Sequence, residues 1–158
     1  MERNDLSSRP VPRLCLVFEG ALAWLPPGDR KKRREYDRLI SRGKWGEAVD
    51  LYEFNQKMEL VIWDRAYKLG MQMDIITYLP GDDASESARR EFANEVARRV
   101  GDEQLPIHDV WGTTPQKLGR QLSYMRDIAC VYDPFPEHRL MGSPGRWHYL
   151  TDPNQFGC

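Results

Sequence analysis

Arg13-Leu14-Cys15-Leu16-Val17-Phe18-Glu19-Gly20-Ala21-Leu22 is the stretch on which the fold turns. It is a short apolar run that follows a polar leader and ends in a carboxylate and a glycine. The run lacks helical spacing, so it reads as a buried strand opening into a turn. In open α/β sheets ligands bind where strands end, which makes Glu19 the first place to look for chemistry. Val17 stands two residues earlier, on the same face of an extended strand.

Outward from this strand, helical and extended patterns alternate. Gly20 to Gly28 follows, and its Pro26-Pro27-Gly28 is expected to be irregular. Asp29 is a helix cap for residues 30–42, with Gly43 as the stop. That helix opens with Arg30-Lys31-Lys32-Arg33-Arg34, five cations at the positive end of a helix dipole. They read as a solvated face or as a contact for an anion. A second helical region spans about 46–69, with Phe54, Met58, Val61, Ile62 and Leu69 as its apolar stripe.

Met73 to Leu79 reads as the second strand, broken by Pro80-Gly81. Asp83 then starts a helix with Glu86 as its capping-box partner, and Gly101 closes it. Ile107 to Trp111 is a short strand. Thr114 caps the next helix, with Pro115 in its first position. Ile128 to Asp133 is an apolar strand ending in acid, and Trp147 to Leu150 is a last short strand after the Gly142–Gly145 turn. The alternation predicts a parallel sheet with helices on both faces.

A chain of 158 residues with a formal charge of −1 suits one domain, and its net charge gives no sign of general nucleic-acid or membrane binding. No apolar run approaches the roughly 18 residues that a membrane span needs. Cys15, Cys130 and Cys158 have no metal-ligand spacing and are expected to be free thiols. With no signal-peptide core at the N-terminus, a cytoplasmic location is expected. His108, His138 and His148 have no nucleophile at a recognisable spacing and are expected to be structural.

Four polar residues stand where strands end or helices begin: Glu19, Thr77, Lys117 and Asp133. Lys117 opposes its helix dipole and suits a nearby anion or carboxylate. Glu19 and Asp133 are oxygen donors of the kind Mg²⁺ takes. Thr77 suits a phosphate oxygen.

In this order the set resembles the haloacid dehalogenase-like superfamily, mostly phosphohydrolases on a Rossmann-like parallel sheet. Val17-Phe18-Glu19-Gly20-Ala21-Leu22 takes the place of the family's first motif, Asp-x-Asp-Gly-Thr-Leu/Val. Ile75-Ile76-Thr77 matches the second, Lys117 the third, and Cys130-Val131-Tyr132-Asp133-Pro134 the fourth. The resemblance implies a three-layer α/β sandwich over residues 13–158. Residues 1–12, polar and with two prolines, read as a flexible leader, and about 23–69, longer than one crossover needs, read as holding a small helical insertion where that family places its cap. The resemblance further implies Glu19, Thr77, Lys117 and Asp133 as site residues, with Glu19 and Asp133 as ligands of a Mg²⁺ ion that is possible but dispensable.

The departure lies at the centre. The family's nucleophile is the first Asp of its first motif, and Val17 has no lone pair with which to attack phosphorus. The leading expectation is therefore a catalytically degenerate domain that binds or regulates a protein or a phosphorylated small molecule. One alternative is an active Mg²⁺-dependent phosphohydrolase with altered chemistry, in which Glu19 is the nucleophile or the base. A second alternative is a nucleic-acid or anionic-partner binder that uses Arg30 to Arg34, with Arg89, Arg90, Arg98 and Arg99 in reserve.

Overall fold

The computed structural model describes residues 11–100, 106–141 and 145–149. Residues 1–10 of the expected leader, Gly101, most of the Gly142–Gly145 turn, Leu150 and the tail lie outside the described residues. Five strands form one parallel sheet: β1 Arg13–Val17, β4 Gln72–Thr77, β5 Asp109–Gly112, β6 Ile128–Asp133 and β7 Trp147–Tyr149. Their order is β5-β4-β1-β6-β7, so the opening strand of the sequence is the central one. Val17 is level with Ile76, and Leu16 is level with both Ile75 and Tyr132.

Two apolar layers sandwich the sheet. On one face Leu14, Leu16, Met73 and Ile75 pack with Met58, Ile62 and Ala66 of α3 (Gln56–Lys68) and with Phe92 and Val96 of α4 (Glu86–Ala97). On the other face Cys15, Val17, Ile76 and Val131 pack with Leu118 of α5 (Pro115–Gln121) and with Leu122 just after it. Burying both sheet faces is what allows strands with near-continuous apolar runs.

Between β1 and β4 lies more than one crossover helix. Short strands β2 (Ala23–Trp24) and β3 (Glu53–Phe54) pair antiparallel. They bracket helices α1 (Arg30–Ser41) and α2 (Trp45–Val49). Helix α3 is the crossover that packs on the sheet.

The expected single helix over 46–69 is therefore three elements. Helix α2 closes as the amides of Leu51 and Tyr52 bond back to Ala48 and Val49 carbonyls. Asn55 then caps α3, its Oδ1 accepting from the Met58 amide at 3.1 Å. Pro26-Pro27-Gly28 is irregular as expected, and β2 lies just before it.

Helix α1 starts as expected, with Asp29 accepting from the Lys32 amide at 3.0 Å, and Gly43 follows its end at φ +67°. Helix α4 starts later than expected. Ser85 is its cap, accepting from the Ala88 amide at 3.1 Å, which leaves Glu86 in the first turn and not in a capping box with Asp83. Cys130 is disulfide-bonded and Cys15 is a free buried thiol. The expectation of free thiols thus fails at Cys130, and with it the argument from free thiols to a reducing compartment. Among the described residues, no helix is long and apolar enough to cross a membrane.

Candidate functional site

The carboxyl end of β1 turns sharply. The Phe18 carbonyl accepts from the amides of both Leu22 and Ala23, and the Gly20 amide donates to the Ala23 carbonyl at 2.7 Å. Gly20 has φ +87°, and a Cβ there would lie 2.8 Å from Pro134 Cγ. Glycine is required both by the backbone and by the close approach of the loop after β6. The turn leaves Glu19 buried, with 8% of its surface exposed.

Glu19 Oε2 accepts from Thr77 Oγ1 at 2.9 Å, and Oε1 accepts from the Tyr78 amide. Burial pushes its carboxyl up to about 7 against these two bonds, which favour the charged form. Thr77 gives its one hydroxyl hydrogen to Glu19, and its oxygen accepts from the Leu79 amide at 3.1 Å. That leaves no Thr77 donor for a phosphate oxygen in this geometry.

Asp133 ends β6 and is fully buried. Its Oδ2 accepts from Tyr78 Oη at 2.7 Å and Trp147 Nε1 at 3.3 Å, and His138 Nδ1 lies 2.7 Å away. The Nδ1–H tautomer of His138 is the one that suits a carboxylate. Oδ1 accepts from the Phe135 amide at 2.9 Å. Tyr78 thus joins the two acids, through its amide to Glu19 and its hydroxyl to Asp133. Its own hydroxyl is held far from ionising, first by burial and then by the charge of Asp133.

Lys117 does not join this group. Its ammonium pairs with Glu86 of α4, both side chains being substantially exposed, and holds the Glu86 carboxyl below its usual range. Val17 is fully buried in the apolar layer with Ile76, Leu118 and Val131.

Three donors crowd Asp133 Oδ2, whereas Asp133 Oδ1 and each Glu19 oxygen accept one hydrogen bond. Among the described residues no group of three or more His, Cys, Asp or Glu has a metal-binding arrangement. A cavity of about 460 Å³ lies between α2 and α4, and one of about 280 Å³ lies beside Trp63, Tyr67 and Ile107. Neither is lined by Glu19, Thr77 or Asp133.

Sequence reading missed Tyr78, His138 and Trp147. Alternation along β4 places Tyr78 on the Ile76 side, which was a usable signal. Its pairing with Asp133 depends on the register between strands, which a single sequence does not carry.

Sequence reading also misplaced the reserve arginines. Arg89 is 2% exposed and is spent inside the fold. Its guanidinium donates to the carbonyls of Thr113 at 2.8 Å, Gly81 at 2.8 Å and Tyr78 at 3.3 Å. Arg98 pairs with Glu95, and Arg99 pairs with Glu95 and Asp50. Of the four only Arg90 is exposed without an ion pair among the described residues.

Comparison of this chain with family models, curated proteins and solved structures yields no match.

Proposed function

We propose that this chain is a catalytically degenerate haloacid dehalogenase-like domain that works as a binding or regulatory module. The observation that carries the reading is Tyr78, which occupies with its own donors both carboxylates that the resemblance assigns to metal and proton chemistry. Val17 supports it, because an aliphatic side chain stands where that scaffold keeps its nucleophile.

The test is hydrolysis of p-nitrophenyl phosphate and of nucleotides by the full chain, with and without Mg²⁺. The expected result is no turnover above the buffer rate. Mg²⁺-dependent turnover that disappears in Asp133→Asn would overturn the proposal. Beryllofluoride with Mg²⁺ is expected to leave the melting temperature unchanged.

A second reading keeps phosphohydrolase activity, with Glu19 as nucleophile or base. One observation favours it: a buried carboxyl raised to about 7 is matched to proton transfer near neutral pH. Under that reading the same assay returns turnover that Glu19→Gln abolishes.

A further inference from the structure

The cationic start of α1 is not used by anything described so far. Arg30, Lys31, Arg33 and Arg34 are exposed and Lys32 is half-buried. Among the described residues the only ion pair in this run is Arg33 with Asp37, at 3.9 Å and with both side chains about two-thirds exposed. Among the described residues Arg30, Lys31, Lys32 and Arg34 form no ion pair, and Asp29 at the cap is the acid next to Arg30 in sequence. The first turn of α1 contains no acid, whereas α2, α3 and α4 have Glu47, Glu59 and Glu86 there.

In a chain whose net charge is −1, this concentrates positive charge on one short surface. The helix dipole adds to it. The helix is held firmly enough to present that surface. Asp29 caps it, and Tyr36 and Leu39 are turned into the protein at 5% and 4% exposure.

We propose that the first turn and a half of α1 is a docking surface for the phosphate backbone of a nucleic acid. Charge complementarity selects a polyanion. Burial of Tyr36 and Leu39 argues against insertion into an anionic membrane, since α1 keeps no apolar face free to enter one. The exposed groups are long, flexible cations, with Asp37 beside them. They suit contacts to phosphates that are independent of base identity. The inference is independent of the reading of Glu19 and Asp133, because α1 lies in the segment between β2 and β3.

The experiment is fluorescence anisotropy of the full chain with labelled duplex and single-stranded 20-mers across a salt series. Binding is expected at low salt, with log K falling against log salt by about 0.9 for each duplex phosphate engaged. The triple variant Arg30→Gln, Lys31→Gln, Arg34→Gln removes three exposed cations and leaves the Arg33–Asp37 pair in place. It is expected to weaken binding roughly tenfold or more and to flatten the slope by about three.

Circular dichroism checks that the triple variant folds, and Lys57→Gln with Arg120→Gln serves as a neutralised control elsewhere on the surface. Absence of binding at low salt would overturn the proposal. So would equal loss in the control, or equally tight binding to poly-glutamate or to vesicles containing phosphatidylserine. Hydrolytic activity reads the other proposal separately, so failure of either is distinguishable.

Discussion

Glu19 is an acid whose burial outweighs the two hydrogen bonds it accepts, so its folded pKa of about 7 lies above the ordinary value of 4.5. The sign of the linkage follows. Below about pH 4.5 the group is protonated in both the folded and the unfolded chain, and the favourable contribution of the neutral form is fully present. Between about 4.5 and 7 the folded chain keeps the proton that the unfolded chain releases, so stability falls as pH rises. Above about 7 the loss is complete and amounts to about 3 kcal/mol. Glu19→Gln removes this dependence. Urea titrations at steps from pH 4.5 to 8 are expected to converge at the low end and to separate at the high end, with the variant the more stable. A constant difference between the two proteins across that range would contradict the account. Glu19 and Thr77 were both legible as candidates, because each follows an apolar run. The partners of Asp133 were not, since Tyr78, His138 and Trp147 meet it from three separate elements.

At the scale of elements, α4 is fastened to the ends of β4 and β5 through Arg89. The aliphatic stem of Arg89 crosses Gly112 at the end of β5, where a Cβ would lie 2.4 Å from Arg89 Cγ. Gly112→Ala therefore has to displace either the stem or the strand, and the three carbonyl bonds of Arg89 move with it. The expected cost is about 1–3 kcal/mol, the range for overpacking a close-packed interior. A midpoint in urea equal to that of the parent chain would show that the stem repositions freely.

The five sheet strands, the Asp29 cap and the Thr114–Pro115 helix start were legible, because each depends on local pattern or on a cap within three residues. Thr114 Oγ1 accepts from the Lys117 amide at 3.1 Å, as its position implied. The β2–β3 pair was not legible. Two strands of two residues, thirty positions apart, have no periodicity to read, and Phe54 looked instead like the first residue of a helical stripe.

Across the whole molecule the sheet has chemically different ends. At the carboxyl ends of the strands lie Glu19 and Asp133. At the opposite end Asp74, fully buried, accepts from Arg13 Nη1 at 2.7 Å and Trp111 Nε1 at 2.9 Å, with His108 Nδ1 at 2.8 Å. Arg13 Nε also donates to Asp127 at 2.8 Å, so one guanidinium ties β1 to β4 and to the start of β6.

Arg13→Met keeps the stem and removes the charge, which leaves a buried carboxylate without its cation. The expected loss is about 3–5 kcal/mol in unfolding free energy by urea. A loss under about 1 kcal/mol would mean that Trp111 and His108 suffice for Asp74. Neither Arg13 nor Asp74 stood out in the sequence as a pair. The parallel order that brings them together is a property of the whole sheet, and sixty-one positions separate them.

Ala23 and Phe54 sit side by side as partners in the small ribbon. The chain therefore departs from the sheet scaffold and comes back to it at a single doorway. Replacements of residues 25–52 by a segment of another length are then exchanges of a side room, provided they still supply the side chains that Val49 and Tyr52 give to the sheet core, where Tyr52 meets Phe18. Loop-closure entropy changes only slowly with segment length, by about 0.6 kcal/mol per doubling, so length itself sets little limit on what is installed there. A second surface that limits it is the wall α2 shares with α4, where Trp45 packs on Phe92 and Arg99 reaches Asp50.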